Sequence, residues 1–87
     1  MTRHSLKINP AYFDAVKNGI KTFEIRKNDR DYRVGDTLTL GEWVPGTWEK
    51  GSWTGRRIEV AITYVLTHDQ FPDGIGDGYA VLGIRVI

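Results

Sequence analysis

Residues 19–30 read Gly-Ile-Lys-Thr-Phe-Glu-Ile-Arg-Lys-Asn-Asp-Arg, and this stretch contains a change from helical to strand patterning. A short helix is predicted to end at Gly19, because glycine adopts the left-handed backbone conformation that terminates many helices. A strand is then predicted from Thr22, and its alternation separates an apolar face from a polar one. The two faces carry Phe23 and Ile25, and Thr22, Glu24 and Arg26. We expect the polar face and Lys21 to converge beside the helix end, where they suit a polar or phosphate-bearing ligand.

Before this stretch, the pattern predicts a strand at residues 4–8 and a helix at about 10–18. Asn9-Pro10 is typical of a helix start, since asparagine caps the first turn and proline suits the first helical position. The apolar side of this helix is expected to carry Tyr12, Phe13, Val16 and Ile20.

After this stretch, period-two patterning predicts further strands at residues 37–44, 56–66 and 79–87, in addition to one at 22–27. Residues 45–55 and 67–78 are interpreted as loops, and Val34-Gly35-Asp36 as a turn. The longest strand is expected to place five side chains on one face: Ile58, Val60, Ile62, Tyr64 and Leu66.

One short helix and about five strands in 87 residues predict a single α+β domain spanning residues 1–87. The predicted fold is a small, mostly antiparallel β-barrel with the helix plugging one side. Closing the sheet would remove exposed strand edges, which a thin core protects poorly.

The composition excludes several kinds of site. The chain has no cysteine, which rules out disulfides and thiolate metal sites, and its two histidines have no ligand set at metal-binding spacing. No phosphate-binding glycine motif, nucleophile elbow or zinc-protease motif is present. We therefore expect no cofactor and no metal. Neither a signal peptide nor a bilayer-length apolar run is found, so a cytoplasmic location with no membrane partner is predicted.

Charge is distributed unevenly along the chain. Residues 1–34 carry eight Lys or Arg against four acids, whereas residues 35–87 carry four against seven, although the net charge is only +1. A domain with one basic side can attract a polyanion there without being basic overall.

The motif Gly19-x-Lys21-x-x-Glu24-x-Arg26 resembles the signature of the ASCH domains, which belong to the PUA-like superfamily. The order strand, helix, signature, turn and strand is similar as well. Residues 21–30 look closer still to a small, uncharacterised bacterial and phage subfamily of that group. The resemblance implies a PUA-like β-barrel with a cleft beside the helix, and a link to RNA or modified nucleosides.

Some ASCH proteins resemble ribonucleases, and others resemble amidohydrolases that remove the acetyl group of N4-acetylcytidine. Lys21 matches the amidohydrolase pattern, but Glu24 stands where that pattern has a hydroxyl residue. This difference argues against deacetylase chemistry, although the rest of the signature matches.

The signature residues have both binding and catalytic interpretations. Arg26 can form paired hydrogen bonds with a phosphate or carboxylate, and Lys21 can supply a point charge or, if desolvated, a base. Glu24 can accept from the exocyclic amine of a base or act as a general base. The alternative is a Glu–Arg pair on a solvated strand. The predicted ligand-binding residues are Lys7, Lys21, Thr22, Glu24 and Arg26, and the catalytic residues of an enzyme would be Lys21 and Glu24.

Two further groups have open interpretations. Lys27, Arg30 and Arg33 either contact a nucleic-acid backbone or form an ordinary charged turn with Asp29 and Asp31. The second group is Trp43, Trp48 and Trp53, spaced five residues apart around the 45–55 loop. These rings either pack across a hairpin or offer a surface to bases or to a protein partner.

The function predicted from the sequence is binding of RNA, or of a nucleotide or modified nucleoside, in a cleft lined by the signature. One alternative is a small hydrolase acting on an acetylated nucleoside or on RNA. The other is a protein-interaction module that uses the tryptophans.

Overall fold

Five strands and one helix follow each other in the predicted order. The structure is a computed structural model and describes residues 1–46 and 50–87. The elements are β1 (Arg3–Ile8), α1 (Pro10–Lys17), β2 (Phe23–Lys27), β3 (Thr37–Val44), β4 (Ser52–Thr67) and β5 (Tyr79–Val86), with a 3-10 turn at His68–Gln70. Within these residues, no helix has the length and apolar character needed to cross a membrane.

The strands form one curled sheet in the order β1-β3-β4-β5-β2, a half-barrel with one short helix. The pairing is mostly antiparallel, as predicted, but β1 and β3 run parallel. The predicted closure of the barrel is not reached: in the described ranges no backbone ladder joins β1 to β2, the two outermost strands. Two free strand edges therefore face the same gap.

Arginine side chains bridge this gap in place of backbone pairing. Arg26 Nη2 donates a hydrogen bond of 2.7 Å to the carbonyl oxygen of Lys7. Arg30 Nη1 donates one of 3.1 Å to the carbonyl oxygen of Ser5. Unpaired carbonyls on an edge strand are a template for unwanted strand addition. The two guanidinium groups thus satisfy part of the β1 edge and tie it to β2 and the turn that follows.

The α1 helix begins and ends as its sequence predicts. Asn9 caps it by accepting a 2.8 Å hydrogen bond from the amide of Ala11, and Gly19 follows it with a φ of +74°. Phe13 and Val16 are buried, which docks the helix on the sheet. The predicted burial of Tyr12 and Ile20 is wrong, because an eight-residue helix covers the core with a narrow stripe and Ile20 lies beyond its end.

The core lies on the inner face of the curled sheet and under α1. Its largest fully buried side chains are Leu38, Leu40, Ile62, Leu82, Val16 and Val60. The predicted five-residue apolar face of β4 is wrong beyond Ile62, because a β-bulge between Ile62 and Tyr64 shifts the register. A bulge adds one residue to a strand and so reverses the inside-outside alternation. Tyr64 is accordingly 60% exposed.

Only β3 has its predicted bounds: β1, β2 and β5 each differ by one residue, and β4 differs by more. β4 begins at Ser52 rather than at residue 56, because Trp53 pairs with Trp43 and extends the β3–β4 hairpin. β2 begins at Phe23 rather than at Thr22. β5 lies between β4 and β2, in the interior of the sheet as its apolar pattern predicts.

A buried histidine–carboxylate pair fixes the turn before β3. His4 Nε2 lies 2.9 Å from Asp36 Oδ2, and the amides of Thr2 and Arg33 donate hydrogen bonds of 3.0 and 3.1 Å to the same carboxylate. The hydrogen bond from His4, followed by those from the amides, holds the pKa of Asp36 below its ordinary value of 3.8. The His4 ring also packs edge-on against Tyr32, with centroids 4.9 Å apart.

We predict that Asp36→Asn reduces the pH dependence of stability in acid. Because the pKa of Asp36 is lower in the folded than in the unfolded state, its charged form stabilises the fold above about pH 4. This stabilisation is lost as the pH falls through the folded-state pKa. Urea unfolding between pH 2.5 and 7 should show a wild-type advantage over Asp36→Asn at neutral pH that shrinks in acid. Parallel curves for the two proteins would contradict the prediction.

Candidate functional site

A cleft of about 510 Å³ opens where the β1 and β2 edges approach the start of α1. We call it the signature cleft. Its lining comes from the end of β1, the start of α1, the segment before β2 and β2 itself: Lys7, Asn9, Tyr12, Lys21, Phe23, Glu24, Ile25 and Arg26. Four of the five predicted ligand-binding residues therefore meet in one place.

The polar face of β2 points into the half-barrel. Glu24 pairs with Leu82 across the β2–β5 ladder, so its side chain projects on the inner face and the residue is only 4% exposed. Phe23 and Ile25 project outward and are 45% and 59% exposed. The burial of Glu24 contradicts the alternative in which Glu24 and Arg26 form a pair on a solvated strand.

Glu24 holds two cations. Lys21 Nζ donates to Glu24 Oε2 and, at 2.7 Å, to the carbonyl oxygen of Phe23. Arg26 donates to Glu24 Oε1 from both Nε, at 3.1 Å, and Nη2, at 2.6 Å. A buried carboxylate needs such partners, because an unpaired charge is costly in a low-dielectric interior. The geometry presets the positions of the Lys21 ammonium and the Arg26 guanidinium.

Lys7 joins the cleft from β1, as predicted. Its carbonyl accepts the hydrogen bond from Arg26, and its Nζ lies 3.9 Å from the ring centroid of Trp43 and 6.0 Å from that of Trp53. These distances are typical of cation–π contacts. Lys7 therefore connects the signature cleft to the tryptophans on the outer face of the sheet.

Two aromatic side chains, Tyr12 and Phe23, also line the cleft, and neither is among the ligand-binding residues that the sequence predicts. Lys21 Nζ lies 5.3 Å from the ring centroid of Tyr12 and 4.8 Å from that of Phe23. The sequence predicts Tyr12 on the apolar side of the helix and Phe23 on the face opposite the polar residues. The closeness of Tyr12 to Lys21 depends on how α1 docks against the sheet, for which the sequence carries no local signal, whereas Phe23 lies two residues from Lys21 in the chain.

Thr22 is the predicted ligand residue that the structure leaves out of the signature cleft. It lines a neighbouring hollow with Lys17 and Arg85, at the other end of α1. Its carbonyl accepts a 3.0 Å hydrogen bond from the amide of Ile84, so its backbone is part of the β2–β5 connection. Thr22 is therefore not part of the described lining around Glu24 and Arg26.

The three basic residues after the signature are dispersed. Arg30 bonds the β1 edge through Ser5, and Arg33 pairs at 3.0 Å with Asp31 on the surface. Lys27 is exposed at the end of β2. None of the three contributes to the described lining of the signature cleft.

Glu42 on β3 is a third buried carboxylate, after Asp36 and Glu24, and it is not among the residues that the sequence predicts for a site. Glu42 accepts hydrogen bonds from Arg56 Nε at 3.0 Å, Arg56 Nη2 at 2.8 Å and the Thr54 hydroxyl at 2.7 Å. The bonds from Arg56 and then Thr54 hold the pKa of Glu42 below its ordinary value. Arg56 also bonds Asp14 at 3.1 Å, which fastens α1 to β4. This network stabilises the fold and lies outside the signature cleft.

Trp43 and Trp53 pack across the hairpin, as one of the two interpretations predicts. Trp43 and Trp53 meet edge to face with centroids 4.9 Å apart. Trp53 nevertheless remains 58% exposed. Trp48 lies outside the described residues.

Comparison with known proteins places most of the chain within one family. Residues 3–84 match the model of the family described as "Domain of unknown function (DUF3850)". A protein of Escherichia phage P2, described as an uncharacterized 12.9 kDa protein in the GpA 3' region, is 48% identical over 62 residues. The match includes 71% of this chain and 52% of the phage protein, so the matched part spans about half the length of that relative.

We predict that Glu24→Gln lowers the free energy of unfolding by about 2 kcal/mol, because it leaves two partly buried cations without their counter-charge. Asp31→Asn is the matched control. It removes a carboxylate whose pair with Arg33 has side chains 81% and 75% exposed, and should cost less than about 0.5 kcal/mol. Urea denaturation at pH 7 measures both changes. Equal small effects would show that the Glu24 ion pairs contribute no more than a surface pair.

Proposed function

Since the chain belongs to the DUF3850 family, whose description assigns no function, we propose one from the chemistry of its site: binding of RNA, or of a nucleotide or modified nucleoside, in the signature cleft. One observation carries the proposal. The described lining contains two cations whose charged groups meet there, Lys21 and Arg26, and one acid, Glu24, which is buried beneath both, while Lys7 contributes the carbonyl that Arg26 binds. The cleft is therefore net positive and suits an anionic group such as a phosphate.

The aromatic lining supports a ligand that also has a flat, apolar part. Tyr12 and Phe23 are 52% and 45% exposed beside the Lys21 ammonium. Rings of this kind stack on nucleobases with little sequence preference. A nucleotide offers both a phosphate for the cations and a base for the rings, whereas a simple anion uses only the first.

The same proposal includes the fold relationship implied by the signature. We propose that the half-barrel is a PUA-like domain of the ASCH type and that the protein acts in the cytoplasm. Three features support this relationship: the curled five-stranded sheet, the helix between β1 and the signature, and the position of the cleft beside that helix.

Lys27 is exposed at the end of β2. Of the three basic residues that follow the signature, it is the best placed to contact a nucleic-acid backbone.

The geometry supports binding better than hydrolysis. Lys21 donates to two acceptors, the Glu24 carboxylate and the Phe23 carbonyl. Glu24 is buried and engaged by both cations. Thr22, whose hydroxyl could act as a nucleophile, lines a neighbouring hollow. Lys21 and Glu24 are thus engaged with each other, and Thr22 is not part of the described lining of their cleft, an arrangement that favours binding.

We predict that the protein binds short single-stranded RNA in a salt-sensitive way and that Lys21→Ala weakens this binding about tenfold, the loss of one charge-assisted contact. The slope of log K against log salt should fall by about 0.7, as expected for one lost phosphate contact on a single strand. Calorimetric titration at several salt concentrations measures both quantities. Nucleosides, including N4-acetylcytidine, and nucleoside monophosphates complete the ligand panel.

Lys17→Ala is the control for this experiment. It removes one positive charge from an exposed position at the end of α1, outside the described lining of the signature cleft. A general electrostatic effect would weaken binding equally in both variants and would contradict a specific role of the cleft. Release of acetate or cleavage of RNA by the wild-type protein would replace the binding proposal with the hydrolase alternative.

A further inference from the structure

The Trp53 ring lies against a glycine on the outer face of the sheet. A Cβ atom built on Gly41 would come within 2.7 Å of the Trp53 six-membered ring. The missing side chain at Gly41 thus lets the ring lie directly on β3. Trp53 is still 58% exposed, so the ring keeps accessible surface away from the strand. The contacts of the Trp53 ring with Gly41 and with Trp43 fix the orientation of the ring.

Two cations flank Gly41 on the neighbouring strands. Gly41 pairs with Lys7 across the β1–β3 ladder and with Arg57 across the β3–β4 ladder. Side chains paired in this way project from the same face of a sheet. The Trp53 ring therefore lies between a lysine and an arginine, in a row that runs across three strands.

A hollow of about 260 Å³ lies beside this ring on the outer face. Its lining includes Trp53 and Arg57 with small or hydroxyl-bearing neighbours: Ser5, Thr39, Gly41 and Gly55. Such a surface offers a flat apolar wall, hydrogen-bonding groups and a guanidinium. It has the room and the chemistry for one heterocyclic ring and its attached anionic group.

The acids near this row are already paired. Glu59, opposite Thr39 on the same face, pairs with Arg3 at 3.4 Å and accepts from the Thr39 hydroxyl at 3.3 Å. None of the ion pairs formed within residues 1–46 and 50–87 involves Lys7 or Arg57. The described part of this face is thus positive, which favours a polyanion over an uncharged or basic protein surface.

We propose that this outer face, consisting of Trp53, Gly41, Lys7 and Arg57, is a second subsite that stacks a base of the same single-stranded nucleic acid whose neighbouring nucleotide occupies the signature cleft. The inference rests on the proposed function of that cleft. Lys7 links the two subsites, because it lines the signature cleft and its ammonium lies on the tryptophan side of β1. A strand that crosses the β1 edge would place its phosphates near Lys7 and Arg57 and a base on Trp53.

A length series tests the proposal. The probes are uridine monophosphate and oligouridines of two to eight nucleotides, with the matching oligothymidines to separate RNA from DNA. Binding is followed by quenching of tryptophan fluorescence and by calorimetry. Affinity should rise about tenfold or more between the mononucleotide and the longer probes, the gain expected from stacking one base.

Three variants separate the two subsites. Trp53→Ala should remove the gain with length and leave uridine monophosphate binding unchanged. Gly41→Ala keeps every tryptophan but displaces the Trp53 ring, and should reduce the same gain without affecting the mononucleotide. Arg57→Gln should lower the salt slope of oligonucleotide binding by about 0.7. Far-ultraviolet circular dichroism and urea midpoints confirm that each variant is folded.

The outcomes distinguish this inference from the function of the cleft. If Lys21→Ala weakens every probe while Trp53→Ala and Gly41→Ala bind the series like wild type, the second subsite is overturned and the cleft stands. If the Trp53 variants lose oligonucleotide binding while Lys21→Ala has no effect, the outer face binds nucleic acid without the cleft. If no probe binds to the wild-type protein, both are overturned and the tryptophan face becomes a candidate protein contact.

Discussion

The guanidinium of Arg26 is the group on which both the half-barrel and its cleft depend. It donates to the buried carboxylate of Glu24 on its own strand and to the carbonyl of Lys7 on the opposite edge strand. Because β1 and β2 share no backbone ladder in the described ranges, these bonds and the one from Arg30 to Ser5 join the two ends of the sheet. A closed backbone ladder would leave no opening at this place. Side-chain bridging secures the edges and keeps a cleft between them.

The buried carboxylate beneath that cleft is a constraint that the fold itself does not require. A buried ion pair is often no more stabilising than an apolar residue of similar size, since removing charges from water is costly. Glu24 faces Leu82 on the inner side of the sheet, where an apolar residue would suit the core. Its effect is to hold Lys21 and Arg26 in place at the cleft. Asp36 and Glu42 are also buried and hydrogen-bonded, but their partners fasten a turn and the α1–β4 contact instead.

The outer and inner faces of the sheet carry different parts of the proposed chemistry. The inner face ends in the charged cluster of Glu24 and Arg26, whereas the outer face carries Trp53 on Gly41. Lys7 lies where the two meet, with its carbonyl in one contact and its ammonium in the other. A ligand longer than one nucleotide can use both faces only by passing around the β1 edge. The open edge of the half-barrel therefore affects the length of ligand that can bind as well as the shape of the cleft.

Local patterning is sufficient to predict the number and order of elements, the start and end of α1, and the bounds of β3, because capping residues, glycines and strand alternation act over a few neighbours. It also groups Lys21, Glu24 and Arg26 on one side of a strand. The inward direction of this side depends on long-range packing, which also brings Lys7 to the cleft without Thr22 and places Tyr12 in its lining. The same holds for the bulge that turns Tyr64 outward and for the open β1 edge. These features depend on contacts between segments far apart in the chain, and alternation identifies the two faces of a strand without indicating which one is buried.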